Sequence, residues 1–190
     1  ARCGSGSAAR SIPGGLSVLP TGTNPGARSL MTADEIPWGM VIAVVEPGKK
    51  KISSREGMEL SRRTSPFFKA WITQSELDYQ KMESAILSRD LAKVGTISED
   101  NALAMHACMI ATRPSLVYWN GTTVELIKTA EKFREGGLET YFTIDAGPNV
   151  IFLCKIDDLD TVARSLKKIK GVQSAISSKP AGGAQIVECE

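Results

Sequence analysis

The order of apolar and polar positions along the chain predicts a mixture of helices and strands. A continuous apolar run over 40–45 predicts a buried strand, which Pro47 and Gly48 close, with a short return strand at 51–54. From 55 to 112 apolar residues recur at helical spacing, with a second helical stretch that begins at Leu91. Further along, the pattern predicts a helix over 124–135, strands over 140–144 and 150–154, a helix over 159–169, and strands over 172–177 and 184–188.

The first part of the chain is less regular. Residues 1–12 are typical of a Gly/Ser loop that opens a short helix, and residues 13–37 are rich in Gly, Pro, Ser and Thr. We expect loops with short pieces of strand there. The chain as a whole therefore predicts an α+β fold, in which helices back an antiparallel sheet.

Composition narrows the classes of function. The chain has 190 residues, of which 42% are hydrophobic and 23% charged, so it can bury a sizeable core. A net charge of +2 gives no case for nucleic acid or an acidic membrane as a partner. The four cysteines are scattered without a C-x-x-C pair, so we expect no zinc site and a cytoplasmic location. No apolar stretch approaches the roughly 18 residues that a membrane-spanning helix needs.

Three segments carry residues suited to binding anions or moving protons. In the first, Ser5, Gly6 and Ser7 precede a short helix and let the backbone approach an anion closely, while Arg10 could clamp a carboxylate. A plain linker or helix cap explains the same residues. No Gly-Lys-Ser/Thr follows, so the segment is not a Walker phosphate loop.

The second segment is the junction between a strand and a helix. Ser54 could cap the helix, with Glu56 near its positive end. Arg55 could hold a phosphate with its planar guanidinium. A capped helix start with an exposed arginine is the simpler interpretation of the same residues.

The third segment is the turn that follows the strand over 140–144. Asp145 could orient or deprotonate a hydroxyl, and Ala146 and Gly147 offer backbone N–H groups beside it. An aspartate before Gly-Pro is also a common structural turn residue. The single histidine, His106, lies in an apolar helical stretch, where we expect a packed or partly exposed helix residue and no catalytic triad.

Four segments appear in a fixed order along the chain: 1–11 (ARCGSGSAARS), 53–58 (SSREGM), 101–107 (NALAMHA) and 141–150 (YFTIDAGPNV). Together they resemble the mevalonate diphosphate decarboxylases of the GHMP kinase superfamily. The resemblance runs across nearly the whole chain and is weakest over 16–37. Its most specific part is the Asp-Ala-Gly-Pro-Asn turn, because most sister kinases carry a Gly-rich turn without this aspartate.

The resemblance implies a GHMP kinase-like α+β fold. Residues 1–52 would be the C-terminal part of an N-terminal domain similar to domain 2 of ribosomal protein S5. Residues 53–190 would be a ferredoxin-like C-terminal domain. It also implies an activity in isoprenoid biosynthesis: ATP-dependent decarboxylation of mevalonate 5-diphosphate to isopentenyl diphosphate, through phosphorylation of the 3-hydroxyl, with ATP and Mg²⁺ as cofactors. A homodimer is expected by analogy with the family.

The family's functional residues carry over position by position. Asp145 matches the catalytic aspartate beside the 3-hydroxyl, and Arg10 matches the arginine that holds the substrate carboxylate. The resemblance assigns no metal-binding residue. The remaining substrate contacts are expected from Ser5, Gly6, Ser7, Ser54, Arg55, Met58 and Ala146.

The family's N-terminal stretch, with its ATP phosphate loop, has no counterpart in this sequence. We therefore expect an N-terminally truncated chain that does not turn over by itself. Residues that distinguish one substrate phosphate from two lie largely in that stretch, so a mevalonate 5-phosphate decarboxylase or a related mevalonate kinase stays open. A third alternative is an inactive relative that acts as a binding or dimerisation module.

Overall fold

The computed structural model describes residues 6–20, 26–45 and 52–185. Within these ranges six strands are present: β1 (Leu16–Val18), β2 (Arg28–Met31), β3 (Trp38–Val45), β4 (Thr140–Thr143), β5 (Val150–Lys155) and β6 (Val172–Ser178). The helices are α1 (Gly6–Ser11), α2 (Ser54–Thr64), α3 (Phe68–Leu87), α4 (Leu91–Ile110), α5 (Gly121–Glu135) and α6 (Leu159–Leu166).

Four strands form the main sheet, in the order β4-β5-β3-β6, and every neighbouring pair is antiparallel. Helices α2 to α5 connect β3 to β4, a tight turn joins β4 to β5, and α6 connects β5 to β6. A sheet whose first strand lies between its third and fourth, with helical crossovers before the second and fourth, has the ferredoxin-like topology. The predicted α+β class and ferredoxin-like domain are therefore confirmed. Strands β1 and β2 form a separate antiparallel hairpin.

The main core lies on one face of this sheet. Alternate residues of β3 and β5 point to it, because side chains along a strand alternate between faces. Val41, Ala43, Val150 and Phe152 are fully buried there. Helices α5 and α6 cover them with apolar side chains that are also buried: Leu126, Ala130, Leu159, Val162, Ala163 and Leu166.

A second core lies on the opposite face. Trp38, Tyr141 and Leu153 occupy the other alternation of β3, β4 and β5 and are buried. They pack against apolar residues of α3, α4 and the segment before β3, namely Met31, Ile36, Ala85, Ile86, Leu91 and Val94. The domain therefore has three layers, with the sheet between two helical layers.

A half-buried ion pair fixes helix α4 relative to its neighbours. Arg134 of α5 donates to Glu99 of α4 at 2.7 Å and to the carbonyl of Thr140 at 2.6 Å. Glu99 also accepts from the backbone N–H of Phe142 at 3.1 Å. Burial raises the pKa of Glu99, while the hydrogen bond from Arg134 opposes that shift. These bonds join α4 to the strand that leads into the Asp145 turn.

Several local predictions need correction. The stretch predicted as helical over 55–112 is three helices, interrupted at 65–67 and at 88–90, where Arg89 takes a positive φ of 55°. Ile52 and Ser53 belong to no strand, because Ser53 caps α2; residue 51 of that predicted strand lies outside the described residues. Of the strand predicted over 184–188, residues 184 and 185 are not in a strand, and 186–188 lie outside the described residues.

The position of strand β3 in the sheet affects where a boundary between two domains can lie. It precedes residue 52, yet it is a central strand of the sheet formed with β5 and β6. A boundary at residue 52 would therefore separate this strand from its own sheet. Across the described ranges, no helix combines the length and apolar character needed to cross a membrane.

Candidate active site

The turn between β4 and β5 carries Asp145 at its first position. The Asp145 side chain is exposed, whereas Ile144 just before it is buried. Gly147 takes a φ of +78°, a conformation that favours glycine. A Cβ at Gly147 would lie 3.3 Å from the carbonyl oxygen of Tyr118 and 3.4 Å from Cδ1 of Trp119. The turn therefore packs closely against the segment that precedes α5.

This turn, residues 145–149, is anchored from three directions. Nε2 of His106, from α4, lies 2.7 Å from the carbonyl oxygen of Asp145. The hydroxyl of Thr123, from α5, donates to the carbonyl of Pro148 at 2.9 Å. The side-chain oxygen of Asn149 accepts from the backbone N–H of Val45, at the end of β3, at 2.9 Å. The turn thus holds an exposed carboxylate on a backbone with few ways to move.

His106 is a deeply buried polar residue that contacts this turn, with 1% of its surface exposed. Burial lowers its pKa, although the hydrogen bond to Asp145 opposes the shift. Because a carbonyl oxygen can only accept, the neutral ring must carry its proton on Nε2. The ring centroid lies 4.6 Å from that of Trp119. The expectation of a packed helix residue is confirmed, but its contact with Asp145, 39 positions away, was not foreseen.

The start of α2 is a second polar surface. Ser53, not Ser54 as predicted, is the N-cap: its side chain accepts from the backbone N–H of Glu56 at 3.2 Å. Glu56 in turn accepts from the backbone N–H of Ser53 at 3.0 Å, which completes a capping box. The hydrogen bonds from Ser53 lower the pKa of Glu56.

Because Ser53 performs the capping, Ser54 and Arg55 are left exposed at the positive end of the helix. Met58, one turn further along, is half-buried. A hydroxyl and a guanidinium beside free helix N–H groups suit a phosphate.

Tyr118 connects these two surfaces. Its hydroxyl lies 3.3 Å from the carbonyl of Ile52 and 3.4 Å from that of Ser53, and it can donate to either one at a time. The same hydroxyl sits against Gly57, where a Cβ would clash with it. Its backbone carbonyl lies beside Gly147. One residue therefore contacts both the start of α2 and the Asp145 turn.

Arg10 lies in α1 and is exposed. It lines a cavity of about 240 Å³ together with Tyr79 and Met82 of α3. Tyr79 and Met82 also line a neighbouring cavity of about 290 Å³, which extends to Thr143, two residues before Asp145. The two cavities share Tyr79 and Met82 as lining residues, and one reaches Arg10 while the other reaches the end of β4. Gly6 and Ser7 open α1, and Ser5 lies outside the described residues.

Asp78 in the larger of these two cavities was not singled out from the sequence. It is 8% exposed and accepts from Gln74 at 2.7 Å and from Asn101 at 3.0 Å. The only signal in the sequence is the Gln74–Asp78 spacing, which places both side chains on one helix face. The described residues contain no group of three or more His, Cys, Asp or Glu that could hold a metal ion.

The fold and site define a ferredoxin-like α+β domain that presents a fixed carboxylate and a helix start suited to anions. Residues 40–187 match the family model described as the mevalonate 5-diphosphate decarboxylase C-terminal domain. This match covers well over half of the chain, and the chain belongs to that family.

Relatives extend the comparison. The chain is 31% identical over 175 residues to the diphosphomevalonate decarboxylase of Candida albicans, covering 88% of this chain and 48% of that protein. The crystal structure of mevalonate diphosphate decarboxylase from Staphylococcus aureus is 30% identical, with a TM-score of 0.90, covering 98% of this chain and 58% of that one. A structure of MDDEF in complex with MVAPP, AMPPCP and magnesium is 29% identical, with a TM-score of 0.88, covering 99% and 59%. The chain thus spans about half the length of the curated relatives it matches.

Proposed function

We propose that the protein to which this chain belongs uses ATP to convert mevalonate 5-diphosphate to isopentenyl diphosphate. The observation that carries the proposal is the exposed Asp145 carboxylate on a turn anchored from α4, α5 and β3. Family membership supports it, as does the relative whose structure holds MVAPP, AMPPCP and magnesium. The chain corresponds to about half of such a protein, so the activity is proposed for the whole.

The chemistry explains why a fixed carboxylate is needed. A tertiary hydroxyl is a poor leaving group, and transfer of the ATP γ-phosphoryl group to its oxygen makes it a good one. The C–O bond then breaks with its electron pair leaving on phosphate. The C–C bond to the carboxylate breaks next, and its electrons form the new double bond as carbon dioxide departs. We assign Asp145 to orient the 3-hydroxyl and take up its proton during phosphoryl transfer.

We assign the remaining roles by the position of each residue. Arg10 would hold the substrate carboxylate through its guanidinium. Ser54, Arg55 and Met58 would surround a phosphate at the start of α2. The other proposed substrate contacts are Ser5, Gly6, Ser7 and Ala146. Mg²⁺ would neutralise the ATP phosphates and be held mainly by them, as is usual for this ion.

We place the domain boundary before Trp38 rather than at residue 52. The support is the central position of β3 in the ferredoxin-like sheet and the start of the family match at residue 40.

We also propose a cytoplasmic homodimer. Cys108 and Cys154 are buried free thiols, which fits a reducing compartment. Sedimentation of the whole protein measures its oligomeric state.

The test is ADP release by the whole protein with ATP, Mg²⁺ and mevalonate 5-diphosphate, alongside an Asp145→Asn variant. We expect Asp145→Asn to reduce kcat by about a hundredfold or more, because general-base groups contribute on that scale. Asp157→Asn is the matched control, since Asp157 is also exposed but follows the far end of β5. Equal activity of the Asp145→Asn variant and the wild type would contradict the role of Asp145.

The alternatives are separated when the same reaction is run with each substrate and both ADP and carbon dioxide are measured. Turnover with mevalonate 5-phosphate but not with the diphosphate would indicate the monophosphate decarboxylase. ADP release without carbon dioxide would indicate a kinase. Absence of turnover with every substrate would favour the binding or dimerisation module.

A further inference from the structure

We propose that His106 is a positioning residue, which turns the Asp145–Ala146 peptide group so that the N–H of Ala146 faces the substrate. The inference rests on the proposed function and extends it from the Asp145 side chain to the backbone beside it. Nothing in the chain's similarity to its relatives assigns a role to this histidine.

The hydrogen bond fixes the direction of the Asp145 carbonyl. Nε2 of His106 lies 2.7 Å from this oxygen, a short distance for a nitrogen donor. His106 belongs to the long helix α4, which the Glu99–Arg134 ion pair ties to α5 and β4. The carbonyl therefore points inward, toward a donor that is itself held in place.

The peptide plane then fixes the direction of the Ala146 N–H. A trans peptide group is planar, and its C=O and N–H point in opposite directions. With the carbonyl directed inward to His106, the N–H of Ala146 points away from α4. No described residue accepts a hydrogen bond from this N–H, and Ala146 is only half-buried. A half-buried donor next to a fixed carboxylate can bind an oxygen of the reacting group.

The aromatic contact keeps the donor in one orientation. The ring of Trp119 lies 4.6 Å from that of His106, centroid to centroid, and its Cδ1 lies beside Gly147 of the same turn. The imidazole therefore cannot rotate freely away from the carbonyl. Its burial, at 1% exposure, also keeps competing water from Nε2.

The experiment compares His106→Gln with His106→Asn. The amide nitrogen of glutamine can occupy the place of Nε2 and donate to the Asp145 carbonyl, whereas asparagine is too short to reach it. Both substitutes are polar and smaller than the ring, so the pair separates the hydrogen bond from a general loss of packing. Thermal unfolding of each variant establishes that the comparison is made between folded proteins.

Two NMR measurements test the His106 hydrogen bond and the orientation of the Asp145–Ala146 peptide group, and neither requires turnover. We expect the imidazole ¹⁵N shifts of the wild type to show a proton on Nε2. We also expect the Ala146 amide resonance to move in the His106→Asn variant and to return toward the wild-type position in the His106→Gln variant. A proton on Nδ1, or an Ala146 amide that is unchanged in the His106→Asn variant, would overturn the inference.

Steady-state kinetics of the whole protein test whether this peptide orientation affects catalysis. We expect the His106→Asn variant to lose about tenfold or more in kcat/KM and the His106→Gln variant to recover most of it, since small misplacements of a site have effects of this size. Equal kcat/KM in the two variants would overturn the role in positioning substrate. If even the wild type fails to turn over, the proposed function fails, while the amide and imidazole signals still decide whether His106 sets the peptide.

Discussion

The Asp145 turn and the start of α2 present similar chemistry, but they are stabilised in different ways. The turn is anchored by residues far apart in the chain: His106 lies 39 positions from Asp145, and Thr123 lies 25 from Pro148. The start of α2 is stabilised by a capping box within four consecutive residues, Ser53 to Glu56. The first arrangement needs the folded core, whereas the second needs only the local helix.

The difference shows where each surface is sensitive to change. A turn anchored by buried groups should respond to substitutions in the core, because an unpaired buried polar group is costly. A helix start held by its own cap should respond mainly to the cap residues. Tyr118 is the exception, since it contacts both surfaces.

The largest effect on stability is expected for Thr123→Val, which tests the long-range anchors. Thr123 is fully buried, and its hydroxyl donates to the Pro148 carbonyl at 2.9 Å. Valine keeps the shape but leaves this carbonyl without its donor and the Asn120 N–H without its acceptor in the cap of α5, so we expect a loss of about 1–3 kcal/mol in the free energy of unfolding. Urea denaturation measures it.

Thr122→Val is the matched control for that substitution. Thr122 is the neighbouring residue, and its hydroxyl makes only a 3.4 Å contact with the Lys170 carbonyl at an exposed site. We expect a change within about 0.5 kcal/mol, as for most surface substitutions. Equal losses in the two variants would mean that the bond to Pro148 does not anchor the turn.

The second prediction concerns the link through Tyr118. A Cβ at Gly57 would clash with the Tyr118 hydroxyl and lie 3.2 Å from Cδ1 of Leu116. We expect Gly57→Ala to destabilise the protein by about 1–2 kcal/mol, because overpacking outweighs the helix preference of alanine. Differential scanning calorimetry follows the change.

Gly121→Ala provides the contrast. Gly121 also lies in the first turns of a helix, but nothing lies within 4 Å of a Cβ placed there. We expect alanine at 121 to be neutral or to stabilise by up to about 1 kcal/mol. A stabilising effect at both positions would show that Tyr118 moves aside at no cost and is not a rigid link.

A third, smaller effect is expected at the cap of α2. Ser53→Ala removes the acceptor for the Glu56 N–H and should cost about 1 kcal/mol. Ser54→Ala, one residue later, removes an exposed hydroxyl that makes neither bond of the capping box and should leave stability nearly unchanged. Chemical denaturation of both variants tests this. A larger loss of stability in Ser54→Ala than in Ser53→Ala would show that Ser54 is the cap.

These two surfaces also differ in how much of them the sequence predicted. The sequence predicted the start of α2 from Ser54 as a cap and Glu56 near the positive end, with an error of one residue in the cap, because the Ser53–Glu56 capping box is a local signal that the prediction did not use. The strands on either side of Asp145 were predicted because their apolar runs are long and bounded by turn residues. In these cases the residues next to each other in the sequence were sufficient to predict the element.

The contacts that position Asp145 were beyond such reasoning. Nothing in the residues around His106 indicates that its ring meets a carbonyl on another element, since that contact depends on how α4 lies against β4. The same holds for the buried Asp78 and its partner Asn101. The roles of Asp145 and Arg10 came from the family resemblance and remain predictions that the proposed assays test.

The smallest expected effect is a pH dependence that arises from His106. Burial lowers the pKa of His106 in the folded protein below its ordinary value of 6.5, despite the opposing backbone hydrogen bonds to Asp145 and Ile144 and the nearby Asp145 carboxylate. The unfolded chain therefore binds a proton at a higher pH than the folded one. The stability that the neutral ring contributes is complete above about pH 6.5 and is lost as the pH falls through the folded pKa.

His106→Gln isolates this contribution, because glutamine keeps a donor for the Asp145 carbonyl but does not titrate. We expect the wild type to lose stability more steeply than the His106→Gln variant as the pH falls from about 7 to about 5, with the two curves parallel at higher pH. Urea denaturation across this range measures the difference, and the carboxylates cancel because both proteins share them. Parallel curves over the whole range would mean that the folded state accepts a proton on His106 as readily as the unfolded chain, and the buried neutral donor assigned to this histidine would then be wrong.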